Sequence, residues 1–209
     1  MAAATDWDRY YRAPFKVASL TRLVTTARLL QAITCHRPDA GGDFVEWGGA
    51  NSCFIDSIYR NLQPLTYTVI DNNQLGLSLL KHRAIQHQCT YVLEDDVLDP
   101  QHRQQGDVVF SVGLIEHFDI AGTARAIQSH FESARSGGLV VVSFPTPTWL
   151  YRLTRWCAER LGVWAFHDER PLSFAEVEAV MQRHGEFLLR DLVWPIFLTQ
   201  GILVFRKTS

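Results

Sequence analysis

The sequence is poor in cysteine, with four in 209 residues: Cys35, Cys53, Cys89 and Cys157. They lie far apart and match no zinc-site spacing, and so few build no disulfide scaffold. Reduced thiols, and with them a cytoplasmic protein, are expected. No segment reaches the roughly 20 apolar residues that a spanning helix requires. The start, MAAATDWDRYYRAPFK, carries acids and aromatics where a secretory leader would need a basic start and an apolar run, so no membrane association is expected. Charge of one sign is also missing. Twenty Lys and Arg against 22 Asp and Glu leave a net charge of -2, which creates no field to gather a polyanion, and nucleic acid is not an expected partner. There is no internal repeat and no low-complexity segment. What remains is a globular composition, 47% hydrophobic and 20% charged, in a chain short enough for one main core.

Apolar residues at helical intervals predict one amphipathic helix from Lys16 to Thr34. A breaker segment, His36 to Gly42, precedes a first strand at Phe44 and Val45, which ends at Glu46. Trp47 to Ser52 is rich in small residues and reads as a tight turn into a helix that runs to about Leu62. The alternation then repeats. Thr66 to Ile70 is a strand closed by Asp71, Gln74 to His87 a helix, and Thr90 to Leu93 a strand closed by Glu94, Asp95 and Asp96. Asp107 to Val112 is a buried-type strand, Ala121 to Ala134 a helix, and Leu139 to Phe144 the most apolar strand. Pro145 and Pro147 interrupt the rhythm, and Thr148 to Trp164 reads as a helical, aromatic cap. Ser173 and Glu176 form the capping box of a helix that runs through His184. Phe187 to Val193 and Gly201 to Phe205 then form a closing antiparallel pair around a loop that contains Pro195. Strands alternating with helices predict an α/β fold: a doubly wound, mostly parallel, seven-stranded Rossmann-like sheet with an antiparallel last strand and helices on both faces.

In such a sheet, ligands bind beyond the carboxyl ends of the strands. Glu46 and the turn Gly48, Gly49, Ala50, Asn51 lie there. The small side chains of the turn let a ligand approach backbone amides. Asp71, about 23 residues after Gly48, has the spacing of an acid that holds a ribose diol. Asp95 and Asp96 end the third strand, and Ser111, Val112 and the pair Glu116 and His117 end the fourth. The combination points to a nucleoside-type ligand.

Over about residues 43 to 206 the sequence resembles the class I S-adenosylmethionine-dependent methyltransferases. Glu46, Gly48, Ala50 and Ser52 occupy the places of that family's acid and glycine motif, and two of its glycines are replaced. The stretch Asp107 to Phe118 resembles its fourth strand with an acid-histidine ending, and Ser136, Gly137, Gly138 its glycine turn into the fifth. The resemblance implies S-adenosylmethionine as cofactor, Asp71 at the ribose, Asn72 beside the adenine, and Asp96, or Asp95 one place earlier, at the adenine amino group. It also implies a reversed last strand between the fifth and the sixth. Residues 1 to 42 then form an N-terminal helical lid and lead-in helix, and residues 43 to 209 a methyltransferase domain with its cap at about 145 to 171.

Methyl transfer mainly needs alignment, but an alcohol acceptor benefits from a base near the working pH. His117 and His167 are the candidate bases, with Tyr11 beside them; His117 also reads as a structural strand end. Arg170 follows His167, Asp168 and Glu169, and is suited to hold an acidic substrate. Tyr10 and Trp149 are candidate substrate walls, since the N-terminal segment and the cap are both dense in aromatics. The histidines form no ligand pair in sequence, and Asp95, Asp96 and Asp99 suit a nucleoside better than magnesium, so no metal is expected. The expected activity is methyl transfer to oxygen or nitrogen of a small-molecule acceptor. A catalytically silent cofactor-binding protein, an NAD(P)-dependent oxidoreductase and a methyltransferase acting on RNA or protein remain as alternatives.

Overall fold

The computed structural model describes residues 5–12, 18–37, 39–87, 89–102, 104–193 and 199–208. The chain folds in the order α1 (Trp7–Arg12), α2 (Ala18–His36), β1 (Asp43–Trp47), α3 (Ile55–Leu62), β2 (Thr66–Asp71), α4 (Gln74–Ala84), β3 (Thr90–Glu94) and β4 (Gly106–Val112). Then come a 3-10 turn (Ile115–His117), α5 (Ile120–Glu132), β5 (Ala134–Pro145), α6 (Trp149–Arg160), α7 (Phe174–Met181), β6 (Gly185–Val193) and β7 (Gln200–Lys207). One sheet holds all seven strands in the order β3-β2-β1-β4-β5-β7-β6. β7 alone runs against the others, between β5 and β6, as the sequence leads one to expect.

Side-chain alternation along each strand feeds two cores. Phe44, Val108, Phe110, Leu139 and Val141 point to the face covered by α2, α3 and α4, where they meet Leu29, Ile33, Ile58 and Leu80. Val45, Val109, Val140, Val142 and Phe144 point to the other face, against Ala126, Ile127 and Phe131 of α5 and Val177 and Met181 of α7. Among the described residues no helix is long and apolar enough to cross a membrane.

Several predicted boundaries shift. The lead-in helix runs to His36, two residues further than its apolar pattern, while its expected start at Lys16 lies outside the described residues. α4 stops at Ala84 rather than His87. α5 stops at Glu132, because Ser133 caps it and Ala134 already pairs with Gly106. The glycine segment Ser136 to Gly138 is therefore not a turn ahead of β5 but an irregularity inside it, where the register against β4 shifts. α7 ends at Met181, and Ser173 caps it by accepting from the Glu176 amide at 3.2 Å. The Glu176 carboxylate binds Arg170 at 2.7 Å, so the expected capping box is only half made. The predicted loop at Pro195 lies outside the described residues.

Candidate active site

Sheet order reverses between β1 and β4, and the connections from these two strands leave on opposite faces. Beyond their carboxyl ends lies a cavity of about 1030 Å³, at the upper end of the range for small-ligand sites. It is built from four groups of residues.

The first is the turn after β1. Gly48 has φ of 72°, a left-handed conformation that a side chain disfavours. Gly49 lies so close to Glu46 that a Cβ there would sit 2.5 Å from its carboxyl carbon. Glu46 is 2% exposed and accepts hydrogen bonds from the hydroxyls of Tyr67 and Ser52. Burial, reinforced by the charge of Asp71, pushes its carboxyl up to about 7 in spite of those bonds. Ala50, in a glycine place of the motif, directs its methyl group toward Gly76 and is fully buried. It does not line the cavity.

The second is the end of β2. Asp71 Oδ2 accepts from the Ala50 amide at 3.0 Å, and Oδ1 from the Asn73 amide at 2.8 Å. One carboxylate thus joins the β1 turn to the start of α4 and borders the cavity together with Asn72. Burial raises its pKa against the pull of these amides. Asn73 caps α4 by accepting from the Gly76 amide at 2.7 Å, and donates to Asp8 of α1 at 2.9 Å. Tyr11 is held over Gly76, and burial followed by the charge of Asp71 raises its phenol.

The third is the loop after β3. Asp95 accepts from the amides of Asp96, Gln101 and His102 at 2.8 to 3.0 Å. Burial opposes ionisation, yet these amides hold its carboxyl below the ordinary range. Asp95 is spent on shaping the loop, whereas Asp96 is exposed and accepts one amide, from Leu98 at 2.9 Å. Both line the cavity.

The fourth lies beyond β4, where distant segments converge. His117 Nδ1 is 2.9 Å from Asp168 Oδ1, and Asp168 also accepts from the amide of Thr5 at 3.2 Å and from its hydroxyl. The Trp7 ring stands edge-on at 4.9 Å from His117, and the Tyr10 ring at 5.4 Å from Phe166. The N-terminal helix α1 is thereby packed on the segment that follows α6. Burial lowers the pKa of His117, with Asp168 pulling the other way. Beside them Glu116, 1% exposed, has a buried Oε2 without a hydrogen-bond partner. Burial, then the charges of Glu169 and Asp168, hold its carboxyl well above the ordinary range. Glu169 accepts from the Tyr151 hydroxyl, and burial pushes it up to about 7.

Of the residues singled out in sequence, Glu46, Gly48, Gly49, Asn51, Asp71, Asn72, Asp95, Asp96, Val112, Tyr10, Tyr11 and His117 all line this cavity. Four do not. Ser111 is fully buried under the sheet end. His167 is exposed and absent from the cavity wall, because its neighbours Asp168 and Glu169 take the inward positions. Trp149, at the outer start of α6, is 67% exposed. Arg170 turns to Glu176 at 2.7 Å and Thr123 at 3.2 Å, so it cannot serve as an anion clamp in the cavity. The residues that sequence reading did not assign to the site are Glu116, Asp168, Glu169 and Phe166, while Trp7 and Trp164 belong to the aromatics expected to wall a pocket and do line it. The only signal for the first four is membership of the Glu116-His117 pair and of one aromatic, ionisable segment. Sequence spacing also missed that ligand atoms of Glu116, His117 and Glu169 lie within 4.8 Å of one another, a group able to hold a metal ion.

No protein-family profile and no curated protein matches the chain. Solved structures do. Magnesium protoporphyrin IX methyltransferase (ChlM) from Synechocystis PCC 6803, with bound S-adenosylhomocysteine, aligns with a TM-score of 0.76 over 97% of this chain and 94% of that chain at 12% identity. The N-methyltransferase NodS from Bradyrhizobium japonicum WM9, in complex with the same molecule, gives 0.70 over 88% and 86% at 14% identity. The S-adenosylmethionine-dependent methyltransferase SibL in its apo form gives 0.76 over 100% and 64% at 13% identity. The chain therefore has the class I methyltransferase fold.

Proposed function

We propose that this protein is a cytoplasmic S-adenosylmethionine-dependent methyltransferase acting on a small-molecule acceptor at oxygen or nitrogen, without a metal. The observation that carries this reading is the carboxylate of Asp71. It ends β2, borders the cavity at the strand-order reversal, and sits across from a glycine turn in the fold shared with solved methyltransferases. The reversed β7 separates this sheet from the usual nicotinamide-binding arrangement.

The residues present fit the cofactor. Its two missing glycines do not narrow the cavity mouth, since the Ala50 methyl faces Gly76 and the Ser52 hydroxyl serves Glu46 and the Phe54 amide. Gly48, Gly49 and Asn51 would border its amino-acid part, Asp71 its ribose, Asn72 and Asp96 its adenine. When bound, it supplies a methyl group on a sulfonium whose carbon–sulfur bond breaks with the electron pair returning to sulfur. The chain's part is alignment and proton removal. His117, oriented by Asp168, is the positioned base, and Tyr10 and Tyr11 are placed to orient the acceptor. Residues 1 to 42 act as lid and lead-in helix, and α1 with the segment after α6 excludes water from the acceptor end.

Mass spectrometry of the purified protein for retained S-adenosylmethionine or S-adenosylhomocysteine, followed by a metabolite screen for gain of one methyl group, tests the proposal. A protein that neither retains nor binds either molecule would overturn it.

A further inference from the structure

The acceptor end of the cavity is acidic and aromatic at once. Glu116, Asp168 and Glu169 converge there. The guanidiniums on the cavity wall among the described residues are Arg22, bonded to Tyr10, and Arg83, bonded to Asn51 and Ser52 on the β1 side. Arg170 is turned away, as described above. The rings of Trp7, Phe166, Trp164 and Tyr151 wall the same end.

Two facts make this more than an acidic patch. Glu116 lines the cavity with a buried Oε2 that no group in the protein satisfies, and an unpaired buried polar atom is costly. The acids also form a group separate from Glu46 and Asp71. The charges felt by Glu116 are those of Glu169 and Asp168, while Glu46 feels Asp71 and Arg83. The nucleotide end thus has its own acids, and beyond β4, where Asp168 is held by His117 and Thr5 and one Glu169 oxygen by Tyr151, the Glu116 oxygen is left for a second ligand.

We infer that the methyl acceptor is an organic amine, bound as its ammonium ion, with Glu116 and Glu169 as acceptors for its N–H groups and the aromatic walls around its apolar body. This rests on the methyltransferase reading and narrows its acceptor class. One ammonium proton passes to His117, whose ring lies beside the pair and is oriented by Asp168, and then to water, which frees the nitrogen lone pair. A carboxylate acceptor would be repelled, and an alcohol would offer Glu116 no cation.

The test is calorimetric binding of 2-phenylethylammonium, 2-phenylethanol and 3-phenylpropionate, to the protein alone and to protein saturated with S-adenosylhomocysteine. The ammonium ion is expected to bind about tenfold or more tightly than the alcohol, with the carboxylate weakest. Glu116→Gln and, should that variant not fold, the less buried Glu169→Gln are expected to erase the preference while S-adenosylhomocysteine affinity stays at the parent value. Equal affinities, no binding of any probe, or preference for the carboxylate overturns the inference. Titration with magnesium, manganese or zinc ions alone gives the competing outcome. Metal binding that disappears in Glu116→Gln, without an ammonium preference, assigns the cluster to a metal centre and overturns the amine. Failure of S-adenosylhomocysteine to bind, with the ammonium preference intact, refutes the cofactor reading and leaves this binding site standing.

Discussion

Asp71 offers the sharpest perturbation, because its carboxylate holds loop amides and, on the proposed reading, a ribose. Its oxygens accept from Ala50 at 3.0 Å and Asn73 at 2.8 Å, and also from the Asn72 amide, which uses three of roughly four lone-pair sites and leaves one for a ribose hydroxyl. Asp71→Asn keeps one oxygen and the side-chain shape but removes the charge, whereas Asp71→Ala also abandons the amides. A hydrogen bond to a charged group contributes about 1.5 to 3 kcal/mol, so Asp71→Asn should weaken S-adenosylhomocysteine binding about 10- to 150-fold. Calorimetry on parent and variant, with S-adenosylhomocysteine and an analogue lacking both ribose hydroxyls, separates ribose recognition from loop damage. The parent should lose affinity for the analogue, and the variant should bind both ligands alike. If Asp71→Asn weakens the two ligands equally, the residue acts through the loop and the ribose assignment is wrong.

The remaining predictions use the same cavity. Glu46 titrates near 7 folded against 4.5 unfolded, so the folded state binds the proton more tightly and stability falls as pH rises from 4.5 to 7, by about 3 kcal/mol. Glu46→Gln should flatten that fall in thermal melts. The parent is the reference because His130, pushed down to about 4 by burial, loses stability in the opposite direction as pH falls below 6.5; parallel pH profiles refute the assignment. Gly49→Ala places a Cβ against the Glu46 carboxyl and should cost about 1 to 3 kcal/mol by overpacking, together with cofactor affinity. A denaturant midpoint at the parent value would count against the close approach. Deleting residues 1 to 14 removes the Thr5, Trp7 and Tyr10 contacts with Asp168, His117 and Phe166. Cofactor binding should persist while turnover collapses, and a native rate in the truncated protein would refute the lid.

The sequence alone determined the layer architecture. Val45, Val109 and Val140 alternate with Phe44, Val108 and Leu139, and this period, interrupted by amphipathic stretches, permits little besides a two-faced parallel sheet. The nucleotide end was equally legible, because Glu46, Gly48, Gly49 and Asp71 lie at strand ends, where local spacing fixes position. Element ends were less so, since Ala134 continues a helical pattern by propensity but is claimed by pairing with Gly106. The acceptor end was decided only by tertiary structure. His117 and Asp168 are 51 residues apart, and Thr5 and Asp168 are 163 apart. No periodicity tells which of His167, Asp168, Glu169 and Arg170 faces inward. Packing of Trp7 and Phe166 around His117 placed Asp168 and Glu169 at the cavity and left His167 in solvent, while Glu176 drew Arg170 away. A short loop can present any of four adjacent side chains to a cavity, and long-range contacts choose among them.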